Sequence, residues 1–93
     1  MSYALEIVEG VKTHKEKIDS YISAASTHWK IDRMASVDRN ILRMSVYEIF
    51  FAKDMIEPKI AINEAIEISK VFGTQDSSAF INGVLDQVVK SHR

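Results

Sequence analysis

The sequence predicts an all-α fold, a compact bundle of about five helices forming one domain over residues 1–93. Three observations carry this reading. Apolar side chains recur at three- and four-residue spacing along most of the chain, the period that gathers them on one helical face. Glycine and proline number only three and one, so little of the chain is punctuated as loop. A domain of this length buries roughly 60–65% of its extended-chain surface on folding. That suffices for a core without cross-links, and with no cysteine there can be no disulfide.

Residues 3–12 read as the first helix, with Ala4, Leu5, Ile7, Val8 and Val11 at helical spacing. Gly10 inside it costs up to about 1 kcal/mol relative to alanine, which hints at close packing there. Thr13-His14-Lys15-Glu16 has the form of a capping box, so the chain is expected to bend and restart as a second helix over 14–26. Ile18, Tyr21, Ile22 and Ala25 form its buried stripe. Residues 26–35 lose this periodicity and read as a connector, with Trp29, Ile31 and Met34 returning to the bundle. Ser36 is a good N-cap, and Asp38 falls in the first turn, where the helix dipole favours an anion. The helix that follows, about 37–53, is apolar over a wide arc through Val37, Ile41, Leu42, Met44, Val46, Ile49 and Phe50. Such breadth suits a central helix packed on more than one side.

Pro58 is placed to open the fourth helix near its first turn. Ile60, Ala61, Ala65, Ile66, Ile68 and Phe72 are expected along its buried face. Gly73 follows the last periodic residue, where a helix commonly ends at positive φ. A last helix then carries Phe80, Ile81, Val84, Leu85 and Val88 on one face. The fourth and fifth helices thus form a hairpin.

Composition excludes several classes. The formal net charge is −1, without the excess of Lys and Arg usual in a domain that holds nucleic acid alone. No apolar run approaches the length of a membrane helix, and the N-terminus lacks a basic signal-peptide region, so a cytoplasmic location is expected. No catalytic constellation emerges. His14, His28 and His92 lie far apart without ligand partners at helical spacing, and no glycine-rich phosphate loop or nucleophile motif is present. Glu64 and Glu67 share a helix face, more often a solvated face than a metal site. No enzyme activity, metal or cofactor is therefore expected.

The wording of the hairpin is more specific than its periodicity. AINEAIEI-S-K-x-FG followed by FINGVLD-x-V resembles the NusB family of bacterial transcription antitermination factors, with Asn63, Glu64, Phe72, Gly73, Phe80, Asn82, Gly83, Leu85 and Asp86 at motif positions. VDRNILRMSVYEI, Val37–Ile49, is similar to the preceding helix of that family, and the resemblance extends from Leu5 to about Val89. It implies an accessory factor that binds NusE, a small-subunit ribosomal protein, and with it boxA RNA of ribosomal RNA operons in the RNA polymerase antitermination complex. By resemblance, Asp38 and Asp76, and more weakly Asp32, belong to the NusE face. Physically, Asp38 and Asp76 also suit helix N-terminal charge compensation.

The same resemblance places RNA contacts near the hairpin turn. Phe72 and Phe80 either seal the hairpin as core or, where exposed, stack unpaired bases. Lys70 beside the turn is a candidate phosphate neighbour. Asn63 and Asn82 interrupt apolar-rich helices; each either satisfies a backbone group at a helix contact or touches a partner, Asn82 being the RNA candidate. The arginine-rich N-terminal helical segment of the family has no counterpart in this sequence, which starts at the family's third helix. Weakened RNA binding is expected from this, together with a homodimer formed through exposed apolar surface. The alternatives are the NusB-like RNA-targeting domain of a ribosomal-RNA cytosine methyltransferase, or a dimerising remnant that binds no RNA.

Overall fold

Helix α1, Tyr3–Thr13, runs almost directly into α2, Lys15–Ala25, in the computed structural model, which describes residues 3–26 and 30–92. The expected capping box does not form. Thr13 donates its hydroxyl back to the Glu9 carbonyl at 2.9 Å, and His14 stands at the head of α2 without a side-chain cap. A Thr inside a turn can reach the carbonyl four residues back, and that bond outcompetes the cap. Backbone bonds from His14 N to Gly10 O, 3.0 Å, and from Ile18 N to His14 O, 2.9 Å, carry the ladder across the bend. Ile18 and Ile22 are fully buried, while Tyr21 and Ala25 are half-buried against the same core.

The close packing that Gly10 implied has a cause: the ring of Tyr47 lies where a side chain at position 10 would stand. Trp29 falls outside the described residues. Beyond it, a single tight turn over Ile31–Arg33 leads to Met34, which is buried, and Ile31, which is half-buried.

Helix α3, Ser36–Val46, is the central element. Ala35, not Ser36, occupies the cap position with extended backbone and no side-chain bond; Ser36 is already helical, and its hydroxyl accepts from Arg39 at 3.4 Å. Ile41, Leu42 and Val46 are buried along it, and Ile49 just beyond its end. The helix widens at its end into a turn over Tyr47–Phe51, closed by Ala52 N donating to Tyr47 O at 2.8 Å. The wide turn takes in one extra residue, so Tyr47, Phe50 and Phe51 all remain on or beside the core.

Helices α4, Pro58–Phe72, and α5, Ser77–His92, form the hairpin and pack most extensively on each other. Pro58 sits in the first turn of α4, as its fixed φ favours. The buried stripe of α4 differs from the expected one. Ala61, Ala65 and Ser69 are buried, whereas Ile60, Ile68 and Phe72 are exposed. One residue of offset rotates a helical position by about 100°, and small side chains on the inner face let two helices approach closely. Gly73 has φ −94°, not a positive value; its lack of a side chain matters because Ser77 Oγ would lie 2.5 Å from a Cβ there. On α5, Ile81, Val84, Leu85 and Val88 are buried as expected. Arg43 on α3 ties α2 to the centre through two bonds to Asp19, at 2.8 and 2.9 Å.

Candidate docking groove at the head of the third helix

The turn between α4 and α5 is built from hydroxyls. Thr74 N donates to Ser77 Oγ at 2.8 Å, and Ser77 N donates to Thr74 O at 3.1 Å, so the two residues cap α5 reciprocally. Ser69 donates to the Ile66 carbonyl at 2.7 Å and shares a 2.8 Å bond with Ser78, linking the end of α4 to the first turn of α5. Ser69 and Ser77 are fully enclosed. The polar run after Gly73 is the sequence signal for Thr74, Ser77 and Ser78, whereas Ser69, inside the apolar-rich α4, has none.

This turn faces the head of α3 across a groove of about 250 Å³, lined by Arg33, Met34, Ala35, Asp38, Thr74, Asp76, Ser77 and Phe80. Asp38 is only 9% exposed, and its Oδ1 has no hydrogen-bond partner among the described residues. The neighbouring Arg39 Nε is likewise buried and unpartnered. Buried polar atoms left unpaired are unusual, because such groups cost about 1–3 kcal/mol each when withdrawn from water. Asp76 stands at the opposite rim, exposed.

The groove thus joins Asp38 and Asp76 from the candidate protein-contact set with Phe80 from the candidate RNA set. Asp32 lies on the exposed Ile31–Arg33 turn and is not among the lining residues. The remaining RNA candidates are dispersed. Phe72 is exposed at the end of α4, which decides between core and surface for that ring; Phe80 is half-buried. Lys70 is exposed and pairs with Glu67 at 3.5 Å, a contact worth little in water. Asn82 lines a different, shallow groove with Pro58, Lys59, Asn63 and Asp86, and both Asn side chains are exposed, so neither fixes the register of a helix contact. Among the described residues no group of three His, Cys, Asp or Glu side chains could hold a metal ion, and no helix is long and apolar enough to cross a membrane.

Comparison with known proteins follows the same outline. The model of the NusB family matches residues 1–90. A transcription antitermination protein NusB of Bdellovibrio bacteriovorus is 61% identical over 92 residues, covering 99% of this chain and 68% of its own length. Its counterpart in Geobacter sulfurreducens is 51% identical over 90 residues, covering 97% and 64%. A solved structure of T. maritima NusB superposes with a TM-score of 0.85 at 43% identity, over 92% of this chain and 60% of that one. The chain therefore spans between 60% and 68% of the length of these relatives.

Proposed function

This chain belongs to the NusB family, and on that premise we propose that it is a transcription antitermination accessory factor acting by affinity and not by catalysis. NusE docks on the groove at the head of α3, and boxA RNA is held jointly by the two proteins within the RNA polymerase antitermination complex. The observation that carries this reading is Asp38, whose buried Oδ1 is unpartnered in a groove that also presents Asp76. A cationic donor from a basic ribosomal protein would satisfy that oxygen, and the exposed Asp76 would steer its approach. Asp32, on the adjoining turn, contributes at the rim.

RNA then lies across the hairpin turn. The exposed Phe72 and the half-buried Phe80 offer faces for stacking, worth about 1–3 kcal/mol per base. Lys70, two residues before Phe72, is the candidate for the backbone, and Asn82 joins only if the strand continues over α5 to the second groove. The relatives above are named NusB and not methyltransferases, so the RNA-targeting domain of an enzyme is set aside. A second reading, self-association, draws on exposed apolar side chains at Leu5, Val8, Ile60, Val71 and Phe72. Sedimentation across a concentration series tests it: an unchanging monomer would dismiss it.

Calorimetric titration with NusE from the same organism tests the main reading. A dissociation constant of about 1 μM or below, raised at least tenfold by Asp38→Lys, is the expected result. Binding of equal strength by the variant would show that NusE docks elsewhere.

A further inference from the structure

The molecule has a second chemically distinct end. Helix α5 and the continuous run of α3 through Phe51 are each about 24 Å long, at roughly 1.5 Å per residue. Their heads line the groove of Asp38 and Phe80, so their far ends, Phe50, Phe51 and His92, lie away from it.

At that far end the rings form one chain. His14 stacks on Phe51 at 5.1 Å and 22°, Phe51 meets Tyr21 at 5.4 Å, and Tyr21 stacks on His92 at 3.7 Å and 19°. Phe50 closes edge-on against Tyr21 at 5.5 Å. His92 is exposed, and the other rings are half-buried.

Lysines gather at the His14 end of this chain of rings. A broad depression of about 760 Å³ is lined by Lys12, Thr13, His14, Lys15, Glu16 and Lys17. Its three lysines are exposed, and none is held in an ion pair among the described residues; Glu16 is the one acid in the lining. Lys53, also exposed, follows Phe51 by two residues, and Asp19 on α2 is already engaged by Arg43. Lys90, two residues before His92 and so toward the other side of α5, is already paired with Asp86 at 3.1 Å. Free ammonium groups tracking a backbone beside aromatic faces are the combination that holds single-stranded nucleic acid without base readout.

We propose that this lysine–aromatic end is a second nucleic-acid contact, separate from the hairpin turn, taking the phosphates of single-stranded RNA in the depression of Lys12, Lys15 and Lys17 and one base on the open face of His92. The ring-to-ring steps from His14 to His92 are short enough for one oligonucleotide to cover both. The contact stands apart from the Asp38 groove, so failure of NusE binding would leave it intact.

Fluorescence anisotropy with labelled oligouridine, over a series of salt concentrations, tests it. The chain is expected to bind with an affinity that falls as salt rises. The triple variant Lys12→Ala, Lys15→Ala, Lys17→Ala, checked for helicity, is expected to bind about tenfold or more weakly and to lose about two units of the log–log salt slope. His92→Ala is expected to weaken oligouridine about fivefold while leaving an abasic oligonucleotide unaffected. Phe72→Ala, on the other RNA surface, separates the two contacts by leaving that slope difference in place. No binding by the parent chain, or an unchanged slope in the folded triple variant, overturns the proposal. An equal loss for heparin, with no effect of His92→Ala, overturns it as well, because the patch would then recognise polyanions generally.

Discussion

The Tyr47 ring fills the space that a side chain at position 10 would need. Gly10→Ala therefore sets two effects against each other. Alanine improves helix propensity by up to about 1 kcal/mol. Overpacking costs about 1–3 kcal/mol, and displacing Tyr47, only 6% exposed, adds lost burial. The second effect wins, so the midpoint of thermal unfolding is expected to fall by several degrees, at about 4–8 °C per kcal/mol. The same change made in a Tyr47→Ala background should be neutral or stabilising. Circular dichroism melts of the four proteins check the cycle, and additive losses would show that Tyr47 does not mediate them.

Arg43 and Asp19 form the one cross-helix ion pair among the described residues, with side chains 17% and 22% exposed. Its two-pronged geometry and partial burial set it above the surface pairs Lys70–Glu67 and Lys90–Asp86. Asp19→Asn is expected to cost about 1–2 kcal/mol, since it keeps the shape and removes the charge. Lys90→Ala is expected to cost under about 0.5 kcal/mol. Urea titrations of both variants measure the contrast, and equal losses would show that burial and geometry do not set the strength of these pairs.

Much of the architecture is legible in the residues, and its failures share a cause. The stripes of α2, α3 and α5 follow from large apolar side chains at helical spacing, and Gly10 announced a close approach whose partner only the fold supplies. Helix α4 departs from the expected stripe because pattern reading favours isoleucine for the interior. A tightly paired helix buries alanine and serine there and leaves Ile60, Ile68 and Phe72 outside. The Thr13 and Ser36 caps failed because a hydroxyl near a helix end has several local acceptors or donors, and spacing does not rank them. Asp38 and Asp76 stand out in the sequence only through a family resemblance. Their meeting with Phe80 depends on how α3 crosses the hairpin, which no local pattern encodes.

Asp38 separates stability from binding. Its Oδ1 is buried without a partner, so the free protein carries a desolvation penalty of about 1–3 kcal/mol that binding would relieve. Asp38→Ala removes that oxygen together with a favourable charge in the first turn of α3, worth about 0.3–1 kcal/mol. The variant is expected to be as stable as the parent or slightly more so, while NusE affinity falls at least tenfold. Melting and calorimetry on the same preparation check both halves. A clear loss of stability would mark Asp38 as a structural residue and remove the main support for the groove as a docking site.

Phe72 and Phe80, eight residues apart, are expected to behave oppositely on truncation. Phe72 is 69% exposed, so Phe72→Ala removes little packing and should change stability by about 0.5 kcal/mol or less. Phe80 packs against the buried core while lining the groove, so Phe80→Ala should cost about 1–3 kcal/mol, less than a fully buried ring. If RNA crosses the hairpin turn, Phe72→Ala weakens boxA binding about fivefold or more in a fully folded protein, the amount one lost stack implies. Phe80→Leu, which keeps the packing and removes the aromatic face, should weaken boxA similarly at little cost in stability. Anisotropy titrations of these two folded variants decide the matter. Unchanged affinity in both would free the hairpin turn from any role in RNA binding and return Phe80 to the core.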